Sequence, residues 1–293
     1  MKYRYTEDLK CIRELLSLTQ AELAEQIGVE LVTVSRQEQE LFKPSAAVME
    51  KTYAFAFEKN IRINRLKEML WREDLSPEHK LLFHGAKGEI TGELSVKAGR
   101  SNNDFGQGFY AGESYEQAVS FVSGFEKSSV YYLDFDASGL KSKEYHVDRD
   151  WMMTIAYFRG TLDAYRDHPI VQRLAADAGN VDYVIAPIAD NRMFQIINSF
   201  IAGEITDAQC EHCLSAINLG MQYVFLTEKA VKKVQPVERV YIAKNERKYY
   251  GDIRSSESRL GEDKVKLARI KYRGQGKYID EILAGSEEGH ENN

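Results

Sequence analysis

The chain has 293 residues, 43% of them hydrophobic and 29% charged, with a formal net charge of −6 at pH 7, which allows one large or two modest domains and disfavours indiscriminate coating of nucleic acid. With 17 Tyr and 13 Phe against 5 Pro, extensive disorder is excluded. No apolar run approaches the roughly 18 residues that span a bilayer, and the opening MKYRYTEDLK lacks a signal-peptide core, so a cytoplasmic protein is expected, with no membrane partner.

From the N-terminus, Leu9, Ile12, Leu15 and Leu16 keep helical spacing, and Thr19 is placed to cap a second helix carrying Leu23, Ala24 and Ile27. Gly28 should end that helix, because glycine alone enters the left-handed turn without cost. A third helix then runs over residues 31–39. The pattern LTQAELAEQIGVELVTVSRQEQ resembles the lambda-repressor and Cro type of helix-turn-helix over about the first 58 residues. That resemblance implies a recognition helix with Thr33, Ser35, Arg36 and Gln37 facing the major groove and Gln20 near a phosphate of operator DNA, with binding as a dimer. Glu38 and Glu40 weaken the electrostatics, and docking of a partner protein is the competing role. Residues 61–78 form the expected connector, an amphipathic helix that buries Leu66, Leu70 and Trp71.

Strand-like runs follow at residues 80–84, 130–135, 182–188, 222–226 and 239–243, and apolar spacing predicts helices over 113–124, from 151, and over 192–202, 206–218 and 227–234. Without strict alternation the expected class is α+β: an all-α module over 1–60, then a mixed sheet with helices over 79–245. Cys210, His212 and Cys213 make half of a zinc site with no second pair at suitable spacing, so no metal is expected, and three cysteines make no disulfide framework. Residues 246–293 turn basic and then acidic, which reads first as a solvated face.

The chemistry is concentrated in LLFHG at 81–85 and DFGQGFY at 104–110. Together with WMMTIAYFRG, DYVIAPIAD and LGMQYVFLTEKA, these segments resemble a bacterial ADP-ribosyltransferase-like toxin family with a DFGxGFY signature. The resemblance implies NAD as substrate. His84 matches the histidine that bonds the adenosine-side ribose, Gly85 the glycine that offers its backbone to the nicotinamide amide, and Tyr110 the tyrosine that stacks on nicotinamide. Gly106 and Gly108 would let the backbone, with Phe109 beside it, approach the dinucleotide at the mouth of a helix. Arg100 is a candidate for a phosphate and Asp104 for shaping the loop. The third catalytic position, a Glu in many such enzymes, falls on Gln222, which can hold a ribose hydroxyl but cannot take a proton; Glu228 and Asp190 are distant substitutes.

Three functions follow as expectations. The first is a mono-ADP-ribosyltransferase acting as a toxin or anti-phage effector on a protein or nucleic-acid acceptor, with a cognate antitoxin. The second is a transcription regulator whose degenerate transferase domain senses NAD or ADP-ribose, and the third is an NAD glycohydrolase.

Overall fold

The computed structural model describes residues 1–217 and 219–285, so the acidic tail beyond 285 lies outside the described residues. Five helices come first: α1 Tyr5–Leu15, α2 Gln20–Ile27, α3 Leu31–Glu38, α4 Ala46–Glu58 and α5 Ile63–Asp74. Then follow β1 His79–Ala86, β2 Phe109–Gly112, α6 Tyr115–Val122, β3 Ser129–Asp136, β4 Ser142–Glu144, α7 Arg149–Phe158 and α8 Pro169–Gly179. The remainder is β5 Tyr183–Pro187, α9 Asn191–Ile201, α10 Asp207–Ser215, β6 Met221–Phe225, α11 Glu228–Val231, β7 Val234–Tyr241, α12 Lys244–Lys271 and α13 Ile279–Ala284. The mixed α and β content agrees with the predicted class.

Local chemistry explains many boundaries. Thr19 and Glu22 close a reciprocal capping box on α2, and Gly28 ends that helix at φ 62°. Thr206 and Gln209 do the same at the start of α10, and Asp190 caps α9 by accepting from Arg192 N and Met193 N. Residues 109–112, expected at the mouth of a helix, form a strand paired with β6, and the helix begins only at Tyr115 behind its Ser114 cap. The predicted charge run after 244 is a 28-residue helix, α12. Its alternating charges hid the periodicity.

The described chain forms two compact units. The first comprises Met1–Gly92, Ser114–Asp136 and Gln235–Arg254. It joins the N-terminal helices to α5, α6 and strands β1, β3 and β7, rather than ending near residue 60. Within it, β1 pairs antiparallel with β3 from His79↔Asp136 to Ala86↔Ser129, and β7 flanks β3 on the other side.

Helix α5 departs most from expectation. Leu66 and Leu70 are exposed and Trp71 is only half-buried, while Ile63, Asn64, Lys67 and Glu68 are buried. The buried face is a polar seam. Lys67 Nζ lies 2.6 Å from Asp8 of α1 and 2.7 Å from Glu238 of β7, and Trp71 Nε1 donates to Glu238 at 2.7 Å. Tyr53 of α4 donates to the same Asp8 carboxylate. Buried charges persist only when paired, so these contacts dictate which side of α5 turns inward.

The seam continues through Asn64, whose Nδ2 donates to Tyr115 Oη at 2.9 Å, Tyr241 O at 3.0 Å and Glu246 at 3.2 Å; Tyr115 donates to Glu246 at 2.9 Å. Burial pushes the Glu246 carboxyl up to about 7, against the bonds from Tyr115 and Asn64 and the positive charge of Arg62 and Arg247. The folded chain therefore keeps a proton that the unfolded chain releases near 4.5. Stability from this group is complete below that pH and falls by about 3 kcal/mol as pH rises to the folded value. Glu246→Gln should flatten the decline in Tm between pH 4.5 and 7 relative to the native chain; an unchanged slope would assign it to other groups.

The second unit comprises, among the described residues, Glu93–Glu113, Ala137–Val234 and residues 255–285. Here β4 runs parallel to β5, β6 pairs antiparallel with β5, and β2 pairs antiparallel with β6. Its core forms around Trp151, Met152 and Ile155 of α7, packed with Leu174, Met193, Phe200 and Leu214. Apolar burial on this scale supplies the main driving force for the unit.

Candidate functional site

The DFGQGFY segment is a tight loop delivering the chain into β2. Phe105 is buried against Tyr145 and Phe158, with ring centroids 5.2 and 6.2 Å away. Tyr110 turns its hydroxyl back on the loop, accepting from Phe105 N at 3.1 Å and donating to Gly106 O at 2.8 Å. Desolvation holds that phenol well above its ordinary pKa, so it is a neutral donor. Tyr110→Phe, which the stacking role alone would tolerate, should orphan the Phe105 amide and lower stability by about 1–3 kcal/mol. Denaturant unfolding measures this, and an unchanged midpoint would show that the loop holds without the hydroxyl.

The glycines have packing reasons of their own. Gly106 has φ 71°, and a Cβ there would meet Phe158 Cδ1 at 3.0 Å. A Cβ at Gly108 would stand 2.9 Å from Phe225 O of β6, and one at Gly99 would stand 2.1 Å from Gly108 O. The space expected for a dinucleotide beside Gly108 is thus filled by β6 itself. Phe109 is buried, 6.1 Å from Phe225 between ring centroids. Arg100 is exposed, and its carbonyl accepts from Asn103 Nδ2 at 3.1 Å.

Behind the loop, three segments distant in sequence meet on Asp104. Its Oδ1 accepts from Arg159 Nε at 2.9 Å, and its Oδ2 accepts from Gln222 Nε2 at 2.9 Å and Ala189 N at 3.2 Å. Arg159 also donates to Ala189 O at 2.8 Å and lies 4.4 Å from the Phe194 ring centre. Asp104 and Gln222 are almost fully buried, at 5% and 6% exposure. Gln222 Nε2 donates further to Pro187 O at 3.2 Å, so both amide hydrogens are committed and Oε1 is left as the acceptor. The side-chain amide cannot flip without breaking two bonds.

Arg159 was not among the residues singled out in the sequence. Its signal was there: a lone cation closing the apolar run WMMTIAYF must find an anion once α7 is buried. Of the substitutes for a catalytic carboxylate, Asp190 is spent on capping α9 and Glu228 accepts from Ser95 Oγ at 2.8 Å. A third carboxylate was missed. Glu113 is exposed just beyond Gly112, the residue paired with Gln222, and accepts from Met221 N at 3.2 Å.

His84 and Gly85 lie on β1 in the first unit, both half-buried, with His84 opposite Tyr131. A Cβ on Gly85 would reach Ala118 O at 2.5 Å and Val122 Cγ1 at 2.9 Å, so this glycine lets α6 close on the strand.

Among the residues expected to read DNA, Gln37 is buried, with its carbonyl accepting from Thr6 at 3.0 Å, and so cannot reach a base edge. It falls on the inner side of α3 with Val34. Thr33 and Ser35 are half-buried and Arg36 is exposed. Gln20 donates to Glu38 at 2.8 Å, and Glu38 is buried in an ion pair with Arg13 at 2.6 Å, which removes its charge from the outer face.

Cys210 and Cys213 are buried thiols, raised in pKa by desolvation, and the His212 ring stacks on Tyr272 with centroids 3.5 Å apart. Among the described residues no group of three or more His, Cys, Asp or Glu is placed to hold a metal ion, and no helix is long and apolar enough to cross a membrane. No curated protein and no solved structure matches the chain. A family model does, and it runs from within β1 to the first residues of β7 with the DFG loop, Arg159 and Gln222 inside it: over residues 81–235, more than half its length, the chain belongs to the family described as protein of unknown function (DUF3990).

Proposed function

We propose that this protein is an NAD-dependent mono-ADP-ribosyltransferase acting on a macromolecular acceptor. One observation carries the reading. The segments that resemble the transferase-like toxins supply Asp104, Arg159, Ala189 and Gln222, and these four meet in one buried hydrogen-bonded cluster beneath the Tyr110 loop. Such a cluster is preorganised, so no reorganisation is needed at the moment of reaction.

In this reading Gln222 Oε1 accepts from a ribose hydroxyl and Tyr110 presents its ring to nicotinamide. The bond from C1′ to the nicotinamide nitrogen breaks, and its electron pair leaves with nicotinamide. The acceptor's nucleophile then bonds to C1′ and gives up its proton to Glu113, a carboxylate where Gln222 has none. For His84 and Gly85 a role in holding NAD rests on the resemblance to the transferase-like toxins alone. A chain with this activity would be toxic to its host and calls for a neutralising partner.

A second reading, a sensor that binds NAD without transfer, draws on the commitment of the Gln222 amide to Asp104 and Pro187. Incubation with labelled NAD and a cell lysate, followed by separate protease and nuclease digestion, decides between them. Label on macromolecule, lost in His84→Ala and Gln222→Ala, is the expected result. NAD binding with neither label nor released nicotinamide would establish the sensor, and absence of binding would reject both.

A further inference from the structure

Arg239 of β7 is a buried cation with no part in the reaction above. It is 8% exposed, and its guanidinium is gripped from several sides. Nε donates to Ser129 Oγ at 3.2 Å, Nη1 donates to Met1 O at 3.3 Å, and the ring centres of Tyr3 and Tyr131 lie 4.4 and 5.7 Å away. The anion that balances it comes from a loop. Glu89 Oε2 lies 3.0 Å from Nη1 and Oε1 lies 3.4 Å from Met1 N, while the Glu89 side chain is half-exposed. Arg239 Nη2 makes no hydrogen bond among the described residues. A guanidinium nine-tenths buried with a nitrogen unused is costly unless a further acceptor meets it.

Strand pairing puts this cation on the His84 side of the sheet. His84 faces Tyr131 and Ala86 faces Ser129, so these four side chains share one face of β1 and β3. Gly85, Val130 and Tyr132 take the other face, where α6 packs. Arg239 touches Ser129 and Tyr131 and therefore belongs to the first. Ala86, opposite Ser129, is two residues on from His84, about 7 Å along the strand. The loop carrying Glu89 leaves β1 at this point, and Ile90 N anchors it by donating to Tyr131 Oη at 2.8 Å. Glycines flank it: a Cβ at Gly88 or Gly92 would meet nothing within 4 Å, so backbone freedom rather than packing is what they supply.

We infer that Arg239 receives a diphosphate group, that of NAD in the proposed reaction, and that the Glu89 carboxylate competes for the same guanidinium and swings aside when the diphosphate arrives. A phosphate oxygen replaces the carboxylate oxygen at Nη1, and a diphosphate has further oxygens for Nη2, which Glu89 leaves unused. Arg100, the phosphate candidate in the sequence, is exposed and belongs to the second unit. The identity of the ligand as NAD rests on the transferase reading; the diphosphate site does not.

Isothermal titration calorimetry of the full chain with pyrophosphate, ADP-ribose and NAD tests the site. Glu89→Gln removes the competing charge at a half-exposed position and should tighten pyrophosphate and ADP-ribose about fivefold, the worth of one exposed ion pair. Arg239→Lys keeps the charge without the fork and should weaken both about tenfold, and in the double variant the gain from Glu89→Gln should vanish. A tighter complex cannot come from a damaged fold, so Glu89→Gln decides even where circular dichroism shows Arg239→Lys misfolded. Pyrophosphate that binds neither the native chain nor Glu89→Gln, or an affinity that Glu89→Gln leaves unchanged, would overturn the site. NAD binding indifferent to both variants would overturn the assignment of its diphosphate to Arg239 and leave the transferase reading standing. Pyrophosphate affinities that move as stated in a chain that does not bind NAD would keep the site and reject that reading.

Discussion

Gln222→Glu should destabilise the protein by about 3 kcal/mol near neutral pH, because it sets a second carboxylate against Asp104 in a nearly water-free cluster and removes the donor that Asp104 accepts. Asp104→Asn should cost a similar amount by depriving the buried Arg159 of its anion. The double variant Asp104→Asn/Gln222→Glu exchanges donor and acceptor and returns a carboxylate to Arg159's surroundings, so its loss should fall well short of the sum, by about 2 kcal/mol. A double-mutant cycle in denaturant measures the coupling, and strict additivity would dissolve the pairing.

The pH dependence has a definite sign. Two facing carboxylates raise the affinity of one for a proton in the folded state only, so the deficit of the single Gln222→Glu variant should shrink as pH falls from 8 to 5 and grow as it rises. A deficit independent of pH would mean that the new carboxylate escapes to solvent. This cluster gives Gln222 a physical reason: with an aspartate already at 104, the neighbour must donate, and glutamine does so where glutamate cannot.

Lys67→Met should be the most damaging single change in the first unit. It leaves Asp8 and Glu238 buried, facing one another's charge with no cation between them, which costs about 3–5 kcal/mol. For a chain of this size that is roughly a 10 °C fall in Tm. Removing residues 1–59 should be worse still, since it strips Asp8 and Tyr53 from the seam and exposes Tyr241, whose ring stacks on Tyr53 at 5.3 Å. The truncated chain should be aggregated or only partly folded. A soluble fragment with native-like thermal unfolding would show instead that the N-terminal helices are a detachable module joined by a plain connector.

The sequence by itself determined what near neighbours along the chain control. Thr19 with Glu22, Gly28, and Thr206 with Gln209 mark helix ends because the capping partners lie three residues apart or in the turn itself. The strands near 81, 130, 183, 222 and 239 were legible because β-branched and aromatic runs suit a pleated, half-buried surface. The DFGQGFY loop stood out for its glycines. Tertiary structure decided the rest, and α5 shows why. Its apolar residues and its polar residues each form a helical face, and apolar counting chose Leu66 and Leu70, whereas the inward face was settled by Asp8 and Glu238, which lie 59 residues before Lys67 and 171 after it. The same holds for Gln37, turned inward beside Val34, and for Arg159, whose partner Asp104 is 55 residues away. Periodicity reports which residues share a face; only the meeting of distant charges reports which face the protein can bury.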